Sequence, residues 1–315
     1  MFRIFDIYSL MRIVKYIIIL SVLFSFNLSC KKTENVTVKD NEAPDYSGIP
    51  TIHIENYINR LFIDLLGRES TNSEREILTE RLKAANLDVN TRDSIVFELQ
   101  FDTTYRDGDS SYRHAYCQRV YDLMKFRFLE GAADPEIGQK LGNLNFAIKV
   151  ARLNGDTIKV HQYEYEKSKY ENVLKSKYFY RIDSISYNDM CGYMMNNGIY
   201  DLINMGSFNF VNAAFDDVLG RNPTQDEFTA AYDVIDKNEP TVVFNKVASN
   251  KNEFINILVY CDAFYEAQVR WWYYQYVRRE IPPSSLYTWM NQYRNVQRLE
   301  YVQRQILITD EYAQF

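Results

Sequence analysis

Histidine is scarce in this 315-residue chain: there are three, and His53 and His161 are isolated. No Ser-His-Asp order, G-x-S-x-G elbow or phosphate-cradling glycine loop appears. Carboxylate pairs such as Glu164 and Glu166 are abundant, and for that reason they point to nothing. Cysteine is thin as well, with four residues and no CxxC, CxxCH or zinc spacing. Basic residues are outnumbered 36 to 42, for a net charge of −6. That argues against nonspecific nucleic-acid binding, which rests on neutralising phosphates with Lys and Arg. Strand signals are few, so the expected fold is mainly α with at most a minor β-hairpin. No catalytic residue, metal or cofactor is implied.

What is present begins with an address. Arg12 and Lys15 precede the apolar run Tyr16–Phe26, then Asn27, Leu28, Ser29 and Cys30. Together they resemble a bacterial lipoprotein signal peptide over residues 1–29, with Cys30 as the acylated first residue. The run falls short of the roughly 20 residues that a membrane span needs. Asn27 departs from the aliphatic residue usual three places before the cysteine. Lys31 stands where an aspartate favours inner-membrane retention, so the expectation is an outer-membrane lipoprotein, periplasmic or surface-facing. Residues 30–50, interrupted by Pro44 and Gly48, read as a tether. Removing Arg3, Asp6, Arg12 and Lys15 with residues 1–29 leaves 33 basic against 41 acidic, net −8. Cys117, Cys191 and Cys261 then remain, either as one disulfide with a free thiol or as three thiols.

Aromatics are the surplus: 26 Tyr and 19 Phe against 11 Gly, a composition suited to thick helix packing and to a contact surface alike. A stretch is also written twice. Residues 56–74 return 153 positions later, matching Asp64 to Asp217, Gly67 to Gly220, Arg68 to Arg221, Thr71 to Thr224 and Glu74 to Glu227. Tyr57, Ile58, Leu61, Phe62, Leu65 and Leu66 recur at helical spacing. Gly67 and Gly220 suit a left-handed helix stop, and Thr71-x-x-Glu74 and Thr224-x-x-Glu227 suit a capping box that opens the next helix. Duplicated helix-turn-helix units predict an α-helical bundle or short solenoid: a first unit over 51–131, a helical insert over 132–207, and a second unit over 208–315. Each unit is expected to close alike, at Asp102–Tyr105, Asp262–Tyr265 and Thr309–Tyr312. The last closes a degenerate third copy, Trp272–Leu286, which lacks the glycine. Tyr112–Glu130 predicts a helix with Tyr116, Val120, Leu123, Met124, Phe126 and Phe128 inward. A helix follows from Asp134, then a turn at Asn154–Asp156, a short strand at Thr157–Val160, a solvated helix to Tyr180, and a helix over Ser186–Asn196 stopped by Asn197 and Gly198.

At the motif, Tyr57 to Glu74 resembles the helical domain of unknown function found in planctomycete cytochrome-associated proteins, whose signature runs close to F-I-D-R-L-x-L-D-L-L-G-R-P-P-T-P-E-E. The LGR-x-P repeats of phycobilisome linkers are a looser match. The resemblance implies a helical scaffold without agreed catalytic residues, and without haem, since CxxCH is absent.

Asp64 with Arg68, and Asp217 with Arg221, stand four apart, the spacing of an ion pair on one helix face; each arginine is either an anion clamp or a tie to a neighbouring helix. His114 and Cys117 share a helical spacing downstream of Asp107 and Asp109, too few ligands for a usual zinc site. Asp107–Asp109 reads as a solvated turn. Trp271, Trp272 and Tyr274 are candidate binding aromatics, though consecutive rings must turn partly inward. The expected function is a non-catalytic adaptor or accessory subunit of an outer-membrane or envelope protein assembly. A glycan-binding lipoprotein using the exposed rings is the alternative, and an envelope hydrolase a third.

Overall fold

Helix α1, Thr51–Leu66, buries Ile54, Tyr57, Ile58, Leu61, Phe62, Leu65 and Leu66 along one stripe and ends at Gly67, whose φ of 75° is left-handed. Each such side chain contributes about 1.5–3 kcal/mol gross when taken from water. The chain turns and restarts at Thr71, whose side chain accepts from the Glu74 amide while Glu74 reaches back to the Thr71 amide; this opens α2, Asn72–Ala84. Then follow α3, Val89–Phe101, capped by Asp88, and α4, Tyr112–Leu129, capped by Ser111.

The computed structural model describes Tyr46 and residues 48–315; the expected signal peptide, Cys30 and most of the expected tether lie outside the described residues. Tyr46–Phe315 forms one compact unit. After α4 come α5, Asp134–Leu153; α6, Thr157–Arg181; α7, Tyr187–Met195; and α8, Gly198–Ile203. The second motif copy supplies α9, Ser207–Leu219, and α10, Gln225–Tyr232, which runs into a π-helical turn, Asp233–Lys237. Strands β1, Thr241–Val243, and β2, Lys246–Ala248, pair antiparallel around Phe244 and Asn245, both at positive φ, as a tight hairpin requires. The chain finishes with α11, Lys251–Leu258; α12, Asp262–Val277; α13, Pro283–Val296; α14, Leu299–Leu307; and α15, Asp310–Ala313. Mainly α with one minor hairpin is the fold. Among the described residues no helix is long and apolar enough to cross a membrane.

Each motif helix lies against a long central helix: α1 on α4, and α9 on α12. Helix α4 also meets α3, α6 and α7; α12 also meets α13, α14 and α15. The last two helices return to the first unit, α14 packing on α3 and α15 on α1. Tyrosine makes these long-range joints. Tyr57 donates to the Leu307 carbonyl at 3.1 Å, Tyr293 to Asn188 at 2.9 Å, and Tyr116 to Gln303 at 2.6 Å, from rings that are fully buried. The phenol lets a large apolar body fill the core while its tip satisfies a polar group there. Most of the tyrosine surplus that this protein carries in helices α1, α4, α7 and α12 is therefore interior.

One buried ion pair holds three segments together. Arg113 of α4 donates to Glu300 of α14 at 2.8 Å, with 4% and 2% of the two side chains exposed, and also to the Tyr180 carbonyl at the end of α6 at 3.1 Å.

Several expectations fail for local reasons. Thr157–Val160 is the first turn of α6, not a strand: Asp156 accepts from the Lys159 amide and caps a helix, and packing along α5 outweighs the β-branched preference. Asn197 does not merely stop α7; its side chain accepts from Ile199 and Tyr200 and starts α8. Phe126 points to solvent, 76% exposed. The three closing segments are not equivalent: Asp102 ends α3, Asp262 opens α12 and Thr309 caps α15, and Tyr105 is exposed while Tyr265 and Tyr312 are buried.

Candidate functional site

The duplicated junctions are the most chemically dense features that the sequence singled out, and both are built alike. Arg68 donates to both oxygens of Glu74, at 2.8 and 2.9 Å, and to the Glu69 carbonyl at 2.8 Å. Its guanidinium lies 5.0 Å from the Phe62 ring centroid. Arg221 repeats this: both oxygens of Glu227 at 2.7 Å, the Asn222 carbonyl at 3.1 Å, and the Phe215 ring at 5.5 Å. Burial pushes the Glu74 carboxyl upward, but Arg68, the Thr71 amide and Tyr112 together outweigh it and hold it down at about 2. The Arg221 fork, with the Thr224 amide, likewise holds Glu227 at about 2 against its burial.

The Asp64–Arg68 and Asp217–Arg221 ion pairs do not form. A left-handed glycine intervenes before each arginine, so the arginine is past the helix end and helical spacing no longer applies. Asp64 instead accepts from Tyr312 at 2.7 Å, and Asp217 from Tyr200 at 2.8 Å. Burial raises both carboxyls above the usual aspartate range. Arg68 takes Asp109 as a further partner, at 2.6 Å; Asp107–Asp109 is the expected turn, with Asp107 and Gly108 exposed, and Asp109 ties it to Arg68.

The degenerate third copy retains the device under different residues. Arg278 stands where the glycine would, at φ 64°, and its amide closes onto the Tyr274 carbonyl. Arg279 then meets Glu311, which also accepts from Tyr273 at 2.6 Å. Three times, a left-handed stop is followed by an arginine caught by a glutamate.

These forks are occupied, which removes the anion-clamp reading. The two arginines share no partner: Arg68 is held by Glu74 and Asp109, Arg221 by Glu227. The aromatic candidates separate. Trp272 is core, 1% exposed, and packs edge-on to Trp271 at 4.7 Å. Trp271 is partly buried, with the Arg127 guanidinium 4.5 Å from its ring. It shares with Tyr274, Gly220, Arg270 and Ile281 an open cleft of about 280 Å³. His114 contacts Arg181 through Nδ1, whereas Cys117 faces the core, where burial pushes its thiol up to about 12. Cys117, Cys191 and Cys261 are three free, buried thiols. Among the described residues no group of three or more His, Cys, Asp or Glu is placed to hold a metal.

Sequence reasoning missed two things. The first is the set of distant partners Asp109, Tyr200, Tyr312 and Glu311. The second is the surface of α5 and α6: α5 packs chiefly along α6, and only Ile137, Ile148 and Ala151 of its 20 residues are buried. Phe146, Val150 and Leu153 on α5 are 70%, 39% and 87% exposed, and Ile158 at the start of α6 is 71% exposed. The i, i+4, i+7 spacing of the first three was the available signal. Compared with family models, curated proteins and solved structures, the chain has no match in any of the three.

Proposed function

We propose that this chain is a non-catalytic, lipid-anchored adaptor of the bacterial outer membrane, an accessory subunit of an envelope protein assembly. The observation that carries this reading is the outward stripe Phe146, Val150, Leu153 and Ile158 on the α5–α6 hairpin. The motif's charged groups, in contrast, are engaged with one another at the junctions. Anchors at i, i+4 and i+7 are how a helix is read by an apolar groove in a partner protein, and a contiguous apolar face on a folded body marks an interaction surface. The partner is therefore an envelope protein presenting such a groove. The lipoprotein-like leader supplies the address, and the capped junctions supply a stiff body.

The test is purification of the full chain from solubilised native membranes, wild type beside the triple variant Phe146→Ser, Leu153→Ser, Ile158→Ser. A discrete partner should accompany the wild type and be lost from the variant, with melting temperatures unchanged. Recovery of the wild type alone at full yield, or of the same partner with the variant, would overturn the reading. Trp271 and Tyr274, which line one cleft, support glycan binding as a second reading; Trp271→Ala against a glycan array tests it.

A further inference from the structure

Three helices border a partly open pocket of about 200 Å³, in which Asn172 and Asn196 are half-buried and Asn252 and Asn256 exposed. Helix α6 contributes Tyr165, Lys169 and Asn172; α7 contributes Asp189 and Tyr193, with Asn196 at its C-terminal cap; α11 contributes Asn252 and Asn256. Both charged groups are already satisfied. Lys169 is held by Glu166 at 2.7 Å, and Asp189 accepts from Tyr260 at 2.7 Å and from the Ser186 amide and hydroxyl at 2.8 Å each. Lys169 is thus paired and both Asp189 oxygens are already occupied by donors, which disfavours an ion as occupant.

What it offers is amide. Asn196 donates to Asn252, which leaves the Asn196 carbonyl oxygen and the Asn252 amino group for another partner. Asn172 and Asn256 line the same space and have no side-chain hydrogen-bond partner among the described residues. Each carboxamide presents a donor and an acceptor side by side, matching the hydroxyl groups of a sugar, which also donate and accept. The Tyr165 and Tyr193 rings supply apolar faces of the kind that sit against a sugar's C–H surface. The volume is below the roughly 300 Å³ at which drug-sized pockets begin, so it suits one ring rather than an oligosaccharide.

We infer that the Asn172–Asn196–Asn252–Asn256 pocket binds a single neutral sugar residue. This stands apart from the adaptor reading and from the Trp271 cleft.

The test is ligand-observed NMR titration of the full chain in detergent with glucose, galactose, mannose and N-acetylglucosamine, and with inorganic phosphate as the charged control. At least one sugar should saturate with a midpoint on the order of millimolar, as expected for so few contacts. Asn172→Ala and Asn256→Ala should each weaken it about fivefold, the worth of one or two hydrogen bonds, with no loss of melting temperature, because neither side chain is bonded within the fold. Trp271→Ala should bind as the wild type does. No saturation by any of the four sugars, saturation by phosphate instead, wild-type affinity in both asparagine variants, or loss in Trp271→Ala would each overturn the assignment.

Discussion

The three left-handed stops allow an internal comparison. Gly67, Gly220 and Arg278 share the conformation, at φ 75°, 64° and 64°, but not the surroundings. A Cβ built on Gly220 meets nothing within 4 Å, whereas one on Gly67 comes within 3.2 Å of Arg119 Cδ. Gly220→Ala therefore isolates the backbone cost of a left-handed alanine, about 1–2 kcal/mol, less about 0.4–1 kcal/mol recovered by stiffening the unfolded chain. The expected net loss is about 1 kcal/mol. Gly67→Ala should lose more, by the cost of displacing Arg119. Arg278 already bears that strain, and its side chain is exposed, so Arg278→Gly should gain about 0.5–1 kcal/mol. On a domain of this size that is about 2–4 °C in melting temperature per kcal/mol, readable by circular dichroism and by urea midpoints at constant m. A neutral Gly220→Ala, or a destabilised Arg278→Gly, would refute the argument that these junctions are conformational stops.

Three further predictions follow from the same contacts. Glu74 and Glu227 are held at about 2, below their unfolded value of 4.5, so their stabilisation is complete above about pH 4.5 and is lost as pH falls toward 2; solvent screening limits it to about 1 kcal/mol each. In Glu74→Gln/Glu227→Gln, urea midpoints should depend less steeply on pH across that window, and an unchanged slope would count against the assigned partners. Asp64, raised by burial, resists ionising, so at pH 7 Asp64→Asn should be neutral or stabilising while Tyr312→Phe costs about 1 kcal/mol; a large loss in Asp64→Asn would show that its charge is needed. Glu300→Ala leaves the buried Arg113 with only the half-exposed Asp183, at 3.1 Å, as counter-charge and should cost about 3 kcal/mol, whereas the double change Arg113→Met/Glu300→Leu should recover much of that; equal losses in thermal unfolding would contradict it.

Local signals read through to the structure almost unaltered. The glycine stops and the Thr71–Glu74 and Thr224–Glu227 boxes are closed within a few residues, so nothing distant can override them. Arg68 shows where that logic ends. Counting four residues back gave Asp64, but the left-handed turn carries the arginine off the helix face, and its added partner Asp109 lies 41 positions away. The hydroxyl that Asp64 accepts comes from 248 positions away. No spacing rule reaches that far. Arg278 was hidden differently, because an arginine does not advertise a left-handed conformation. Thr157–Val160 carried a strand-like composition, yet a capping aspartate immediately before it and packing back along α5 decided for helix. Of the four asparagines of the pocket, Asn252 and Asn256 stand four apart and every other pair is 24 to 84 positions apart, and no motif announces them.

On the function proposed above, the α5–α6 stripe is the surface that meets an envelope partner. A photocrosslinking residue at Leu153, beside one at the equally open Tyr105, tests that in intact cells. Leu153 should yield one discrete adduct with an envelope protein and Tyr105 none. An adduct at Tyr105 with Leu153 silent would contradict it.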